Sequence, residues 1–280
     1  MSGSSKAPDD IAAELAALES VLRSMGELAV AVSGGVDSLT LAAFAHRVLC
    51  GRVAMFHAVS PAVPSEGTER TRELADVEGW KLSIIDAGEF DTGDYMKNPL
   101  NRCFYCKTSL YGAIRPHTTA QIVSGTNLND LGEYRPGLIA AQEHNVRHPF
   151  VEAGIDKRAV RAVARHLGLG DVAELPASPC LSSRIETGIA IDPVMLGRVH
   201  ETERLVERAI KPKTVRCRVR ARGVVVELDE NAFAALTEDR RESLGAEVRR
   251  LFESAGFGYT VSFAPYRVGS AFLHNIKVVS

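Results

Sequence analysis

The chain has 280 residues, of which 45% are hydrophobic and 24% are charged, so it can bury a large core and form more than one domain. Its 33 basic and 35 acidic side chains give a net charge of −2, whereas proteins that hold nucleic acid by its phosphates carry a basic excess. The first residues lack the order of a secretion signal, and no apolar run reaches the roughly 18 residues of a membrane span. We therefore expect a cytoplasmic protein without a nucleic-acid or membrane partner.

Strand and helix patterns alternate along residues 1–187. After an amphipathic helix at about 9–24, the pattern predicts strand 27–32, helix 37–49, strand 52–59, helix 65–79 and further strands in KLSIID (81–86) and AQIVSGT (120–126). Strands that alternate with helices form parallel sheets with both faces covered. The sequence therefore predicts a doubly wound α/β domain over residues 1–187.

The order of elements changes after a proline-rich loop. The pattern then predicts a helix at 192–210, strands at 214–220 and 223–229, a helix at 237–255 and a strand at 258–264. This ββαβ order differs from the strict alternation before it. We expect a separate, smaller α+β domain over residues 188–280, for substrate binding or oligomerisation.

The strongest local motif is AVSGGVDSLTLA, at residues 31–42. A strand runs into two glycines and a helix follows at once, so amides, hydroxyls and the positive helix end converge on one point, which favours an anion. The motif resembles the PP-loop, SGGxDS, of the ATP pyrophosphatases, which cleave ATP to AMP and pyrophosphate. This resemblance implies that ATP contacts Ser33, Gly34, Gly35, Val36, Asp37 and Ser38. It makes Asp37 and Ser38 catalytic candidates, and Asp37 is either a Mg²⁺ ligand or a helix cap.

Two later segments fit the same family. VSGTNLNDLGEYRPGL (123–138) offers Gly125, Thr126 and Asn127 at the carboxyl end of a strand, where ligands of open α/β sheets bind, so we expect these three residues beside the nucleotide. HPFVEAGIDKRAVRAVARHLGL (148–169) is interpreted as a strand, a turn and an amphipathic helix capped by Asp156.

Five cysteines without a secretion signal are expected to be thiols or metal ligands rather than disulfides. Cys103 and Cys106 form a CxxC at the start of a predicted helix, and Cys180 lies in LPASPCLSSR, which has the composition of an accessible loop. Four-ligand zinc sites need a partner motif that is absent here, whereas three thiolates can hold a [4Fe-4S] cluster. The CxxC could also be a redox pair or pack in the interior. Cys50 and Cys217 are expected to be packing residues.

The segments SGGVDS, NRCFYCKTSLY, GTNLNDLGEYRPGL and PASPCLSSRI together resemble the ATP-dependent sulfur transferases of the LarE family. The resemblance implies adenylation of the carboxylates of a pyridinium dicarboxylate mononucleotide and insertion of sulfur to form the thiocarboxylates of the nickel-pincer nucleotide. It also implies a small-molecule nucleotide substrate, Mg²⁺ and a homo-oligomer. In some members a cysteine at the position of Cys180 gives up its sulfur, and members with a matching CxxC are thought to hold a cluster through Cys103, Cys106 and Cys180. Three cysteines place this sequence with the second group.

Basic residues near the C-terminus are candidates for substrate binding. Arg216, Arg218 and Arg220 alternate along a predicted strand and so share one face, which is either solvated or binds a phosphate or carboxylates. The resemblance matches Arg218, Arg220 and Glu227 to family positions, and Ser183 and Arg184 follow Cys180 in the substrate loop. Arg184 is also a candidate for raising the thiolate fraction of Cys180.

Three alternative functions remain open at this point. A tRNA 2-thiolating PP-loop enzyme would also use three cysteines and a cluster, but it would need a wide basic surface. An amide-forming ATP pyrophosphatase would not need the CxxC together with Cys180. A non-catalytic adenylate sensor would need neither thiols nor an acidic metal ligand.

Overall fold

A computed structural model describes residues 11–132 and 135–271, so the first residues of the helix predicted at 9–24 lie outside the described part. The described chain divides into two compact units. The first comprises the described residues up to 60, together with 65–88 and 103–178. The second comprises 61–64, 89–102 and the described residues from 179 onwards.

The strands lie close to their predicted positions. They are β1 (Leu28–Ala31), β2 (Val53–Val59), β3 (Leu82–Asp86), β4 (Gln121–Ser124), β5 (Val215–Arg220), β6 (Gly223–Leu228) and β7 (Val261–Pro265).

The helices occupy most of the remaining described chain. They are α1 (Ala12–Ser24), α2 (Val36–Leu49), α3 (Ser65–Glu78), α4 (Gly93–Met96), α5 (Arg102–Ile114), α6 (Pro136–Glu143), α7 (Pro149–Glu152), α8 (Lys157–His166), α9 (Gly170–Ala173), α10 (Pro193–Ile210), α11 (Glu230–Ala235) and α12 (Glu238–Glu253). None of the helices within 11–132 and 135–271 is both long and apolar enough to cross a membrane.

The first unit is the predicted doubly wound α/β fold. Its parallel sheet has the order β3-β2-β1-β4. The central strand β1 is buried on both faces, because Leu28 and Val30 pack into one apolar cluster and Ala29 and Ala31 into another. This alternation follows from the two-residue period of a strand, and it confirms that helices cover both faces.

The second unit contains a mixed sheet with the order β5-β6-β7. β5 and β6 form an antiparallel hairpin, and β7 returns parallel to β6 after α11 and α12. The predicted ββαβ order is therefore confirmed. The hairpin requires a glycine at 223, where φ is +130° and an added Cβ would lie 2.4 Å from the Thr260 hydroxyl oxygen.

The segment 148–169 differs in part from its prediction. Its first residues form the short helix α7 rather than a strand, and the backbone at Arg147 makes only an isolated bridge to Val123. Pro149 stands at the start of α7, where its missing N–H costs nothing, whereas in a strand it would remove a ladder bond. The expected cap is confirmed, because the Asp156 carboxylate accepts a 2.8 Å hydrogen bond from the Ala159 amide.

Candidate active site

The PP-loop (residues 33–38) joins β1 to α2 at the carboxyl end of the parallel sheet. Gly34 has a φ of +77°, and an added Cβ would lie 2.3 Å from the Gly67 carbonyl oxygen, so only glycine fits there. Gly35 is the N-cap residue of α2 and has no side chain with which to cap it. The first-turn amides of α2 therefore have no capping side chain, which is the arrangement that binds phosphates.

Hydroxyl groups hold the loop in shape. The Ser33 amide donates a 3.0 Å hydrogen bond to the Ser38 hydroxyl oxygen. The Ser38 hydroxyl in turn donates a 3.2 Å hydrogen bond to the Gly35 carbonyl oxygen. The Ser33 and Ser38 hydroxyl oxygens are 3.0 Å apart. Ser38 thus stabilises the loop through its own hydrogen bonds, whichever role it has toward a ligand.

Asp37 lies at the centre of a charged group. One carboxylate oxygen accepts from the Lys157 ammonium at 2.6 Å and the other from the Asn127 side-chain amide at 3.1 Å. Lys157 is the first residue of α8, and sequence reasoning did not single it out. The sequence carried at most a weak signal, since the helix dipole disfavours a lysine in the first turn of a helix. The contact with Asp37 depends on the tertiary structure.

Two of the three residues predicted beside the nucleotide, Gly125 and Asn127, contact the first turn of α2. An added Cβ at Gly125 would lie 2.7 Å from the Ser38 backbone nitrogen, so the close approach of the segment after β4 to the first turn of α2 requires glycine. Asn127 is buried and bonds Asp37, while the Thr126 hydroxyl lies 3.1 Å from that of Ser124. The same Ser124 hydroxyl contacts His148, whose pKa is lowered by burial, although nearby carboxylates act to raise it.

In the second unit, Cys180 is half-buried and precedes a single 3-10 turn, Leu181–Arg184. The Arg184 guanidinium donates to the carbonyl oxygens of Pro179 and Cys180 at 2.5 and 3.1 Å, and it forms a two-pronged ion pair with Glu203. Burial acts to lower the pKa of Arg184, but the charge and hydrogen bonds of Glu203 outweigh it and raise that pKa. Arg184 therefore shapes the backbone around Cys180 and has a carboxylate as its main charge partner.

One arginine of the predicted row is buried, and Arg216 and Arg220 are partly exposed. Arg218 is buried, donates to Glu227 at 3.1 Å and to the Ser183 carbonyl oxygen at 2.9 Å, and so does not lie on a solvated face. Arg220 is partly exposed and donates to the other Glu227 oxygen at 2.9 Å. A cavity of about 250 Å³ opens beside Arg220 and Glu227 and is also lined by Arg267. Of the predicted substrate residues, Arg220 is the most accessible to a ligand.

None of the five cysteines forms a disulfide. Cys103 is exposed and Cys106 half-buried in the first turns of α5, in the first unit, whereas Cys180 belongs to the second. Across the described residues, no three His, Cys, Asp or Glu side chains form a group that could hold a metal ion. A cluster with three protein ligands needs such a group, so the [4Fe-4S] cluster stays a prediction from the sequence.

The two remaining cysteines differ from each other. Cys217 is buried as predicted, and burial together with the charge of Glu203 raises the pKa of its thiol. Cys50 is exposed at the C-terminal end of α2, where its φ is +44°, so the prediction that it packs in the interior is wrong. Cys50 is the C-cap residue of α2 and follows Leu49, the last helical residue that packs into the apolar core.

The parallel sheet, the glycine-rich turn into α2 and the separate mixed sheet define a PP-loop α/β protein with a C-terminal domain. The chain is 34% identical over 260 residues to the uncharacterized protein slr1717 of Synechocystis sp., an overlap of 90% of this chain and 95% of that protein. The chain belongs to the family of slr1717. No family model matches it.

Two further relatives have named activities. The pyridinium-3,5-bisthiocarboxylic acid mononucleotide synthase of Lactiplantibacillus plantarum, a LarE protein, is 29% identical over 274 residues, covering 92% of this chain and 94% of that enzyme. One subunit of the glutamine-hydrolyzing GMP synthase of Methanopyrus kandleri is 27% identical over 216 residues, covering 70% of this chain and 68% of that subunit. The first similarity extends over nearly the whole of both chains and supports the LarE family and an enzymatic role.

Proposed function

We propose that this protein is an ATP-dependent sulfur transferase that acts on pyridinium-3,5-dicarboxylate mononucleotide in nickel-pincer nucleotide biosynthesis. The observation that carries the proposal is the PP-loop at the start of α2, with uncapped amides and an adjacent Asp37–Lys157 pair. The similarity to the plantarum synthase supports the choice of substrate.

Adenylation makes the substrate carboxylate reactive. A carboxylate oxygen attacks the α-phosphorus of ATP and displaces pyrophosphate, and the acyl adenylate then loses AMP when a sulfur nucleophile attacks its carbonyl carbon. In this scheme the PP-loop amides and Lys157 bind the departing pyrophosphate, because both present positive charge to phosphate oxygens. Preorganised donors of this kind stabilise the charge that develops on the leaving group.

Asp37 is suited to Mg²⁺. This ion is usually bound through one or two carboxylates together with substrate phosphates and water, so a single aspartate beside the PP-loop fits its chemistry. Mg²⁺ would neutralise charge on the phosphates. The Lys157 ammonium lies 2.6 Å from the Asp37 carboxylate and compensates its charge.

The second unit is proposed to bind the nucleotide substrate. Arg220 borders the cavity of about 250 Å³, and Arg267 adds a second cationic side chain to its lining. Guanidinium groups bind carboxylates and phosphates with two hydrogen bonds, and the proposed substrate carries both groups. Ser183, Arg184, Arg218 and Glu227 would shape this region from the interior.

The direct test is a product analysis. The protein is incubated with ATP, Mg²⁺, sulfide and the dicarboxylate mononucleotide, and AMP, pyrophosphate and the thiolated product are quantified by mass spectrometry. Nicotinic acid mononucleotide, which has one carboxylate fewer, is the matched control substrate. We expect AMP and pyrophosphate in equal amounts and replacement of carboxylate oxygen by sulfur. Formation of ADP and phosphate, or no turnover, would contradict the proposal.

The source of the sulfur is tested separately, by intact mass before and after turnover. If Cys180 donates its own sulfur, its Cβ–S bond breaks and the protein becomes lighter by one H₂S at residue 180. If Cys103, Cys106 and Cys180 hold a cluster, anaerobic reconstitution with iron and sulfide gives a brown protein that turns over repeatedly, and a serine at any of the three removes the colour. We expect the second outcome from the presence of three cysteines.

Amide formation, in which ammonia instead of sulfide attacks the adenylate, is the second candidate function. The similarity to a subunit of the glutamine-hydrolyzing GMP synthase of Methanopyrus kandleri supports a nitrogen nucleophile, because glutamine hydrolysis releases ammonia. Both reactions share the adenylate and differ in the nucleophile that attacks it. Replacing sulfide by ammonia in the same assay distinguishes them, because only an amide-forming enzyme would give a product with nitrogen in place of oxygen.

A further inference from the structure

Residues of β2 contact both polar backbone atoms of Val32, the last residue before the PP-loop. The Val32 amide donates to the Phe56 carbonyl oxygen at 2.8 Å, as the parallel ladder requires. The Val32 carbonyl oxygen lies 2.9 Å from Nδ1 of His57, the residue that follows Phe56 on β2. A side chain thus continues the hydrogen bonding where β1 turns away from β2.

The ring of His57 is fully buried, and its other nitrogen, Nε2, lies 2.8 Å from the hydroxyl oxygen of Thr68 on α3. A carbonyl oxygen can only accept, so Nδ1 must carry the proton that it donates to Val32. Nε2 then accepts from the Thr68 hydroxyl. The neutral ring agrees with its pKa, which burial lowers together with the charge of Arg72, against the Val32 hydrogen bond that raises it.

Residues in the first turns of α3 also contact the PP-loop, at Gly34. Nη1 of Arg70 donates to the Gly34 carbonyl oxygen at 2.6 Å, and Gly67 packs directly against Gly34. The Thr71 hydroxyl in turn donates to the Gly67 carbonyl oxygen at 2.7 Å.

These contacts act on peptide planes rather than on side chains. In a trans peptide the carbonyl of one residue and the amide of the next are coplanar and point in opposite directions. Fixing the Val32 carbonyl therefore orients the Ser33 amide toward the Ser38 hydroxyl, its observed partner. Fixing the Gly34 carbonyl likewise directs the Gly35 amide away from Arg70.

We propose that His57 and Thr68 are positioning residues, which orient the PP-loop amides for the polyphosphate of ATP without contacting the nucleotide. The proposal rests on the proposed function, because it assumes that ATP is the ligand of the loop. It makes a specific distinction between ligands. The network should matter for ATP, whose β- and γ-phosphates reach the loop, and not for AMP, which lacks them.

The test compares variants of Thr68 by calorimetric titration with ATP and with AMP. Thr68→Val removes the hydroxyl and leaves Nε2 of His57 buried without a donor. We expect about a tenfold loss of ATP affinity, or about 1.4 kcal/mol, with unchanged AMP affinity. Hydrogen exchange of residues 32–38 in the ligand-free protein should become faster. Thr68→Ala removes the same hydroxyl with less bulk and is the second variant if Thr68→Val does not fold.

Three controls separate positioning from general damage. Thr40→Val removes a buried hydroxyl that has no hydrogen-bond partner among the described residues, and it should leave ATP affinity unchanged. Thr68→Ser keeps the hydroxyl and should restore ATP affinity. His57→Gln offers an amide that can donate to Val32 and accept from Thr68, so it should bind ATP nearly as the wild type does.

The outcomes are distinguishable. If wild-type protein binds no ATP, the proposed function and this inference both fail. If the wild type binds ATP and the folded Thr68 variant binds it equally well, the inference alone fails. Equal losses of ATP and AMP affinity would also overturn it, because they would indicate structural damage.

Discussion

Two ion pairs, one in each unit, differ chiefly in their exposure to water. Asp37 and Lys157 in the first unit are 29% and 35% exposed, whereas Arg184 and Glu203 in the second are 3% and 8% exposed. A partly exposed pair is worth little to stability and can exchange partners when a charged ligand arrives. A buried pair cannot lose one member cheaply, because the other would remain as an uncompensated charge. The same types of side chain therefore point to ligand binding in one unit and to structure in the other.

The largest expected effect is on stability in the second unit. Arg184→Met leaves Glu203 buried without its partner and should lower the free energy of unfolding by about 3–5 kcal/mol, measured by urea denaturation. Arg204→Met, which breaks an exposed pair with Glu207, is the matched control and should cost less than about 1 kcal/mol. Equal losses of unfolding free energy in the two variants would contradict the distinction between a buried and an exposed ion pair. Glu203→Leu added to Arg184→Met should recover much of the lost stability.

The next effect is on activity in the first unit. Asp37→Asn keeps the shape of the side chain but removes the charge, and it should reduce pyrophosphate release by about 10²–10³-fold, the range found when one preorganised hydrogen-bonding group is removed from an active site. Its free energy of unfolding should change by less than about 1 kcal/mol, because the pair with Lys157 is partly exposed. A folded Asp37→Asn protein that releases pyrophosphate at the wild-type rate would contradict the assignment of the PP-loop.

Replacing Lys157 should have a smaller effect, on ATP affinity, and tests whether the exposed ion pair contributes to ligand binding. Lys157→Met removes one charge-assisted contact to phosphate, worth about 1.5–3 kcal/mol, so ATP affinity should fall about ten- to a hundredfold in calorimetric titration. Lys97→Met removes a lysine from an exposed pair with Asp94 in the second unit and should leave ATP affinity unchanged. If both variants bind ATP as the wild type does, Lys157 is only the partner of Asp37.

The smallest expected effect is a change in pH dependence. The pKa of His57 is lowered in the folded protein, mainly by burial, so between that value and the unfolded value of about 6.5 the unfolded chain binds more protons. Stability from this group is present above about pH 6.5 and is lost as the pH falls toward the folded pKa. His57→Gln should reduce the slope of unfolding free energy against pH in that window by up to about 1.4 kcal/mol per pH unit. An unchanged slope in urea titrations would indicate that the pKa of His57 is not lowered in the folded state.

Much of the fold could be predicted because it depends on local patterns. The two-residue and 3.6-residue periods identify strands and helices directly, and the alternation of β1, α2, β2 and α3 implies a parallel sheet. The glycines of the PP-loop were predictable for the same reason, since a strand, two glycines and a helix are adjacent in the sequence. The strand expected before Asp156 was wrong, because the proline at 149 favours the start of a helix.

By itself, then, the sequence determined the order of elements, the position of the phosphate-binding turn and the class of chemistry that its motifs resemble. Only the tertiary structure decided which charged side chains are open to a ligand. Lys157 meets Asp37 across 120 residues of chain, and Arg218 pairs with Glu227 inside the second unit instead of facing solvent. The helix and strand periods in the sequence do not predict which distant charged residues form ion pairs. Burial and charge pairing depend on which surfaces pack together, and that is a property of the folded chain as a whole.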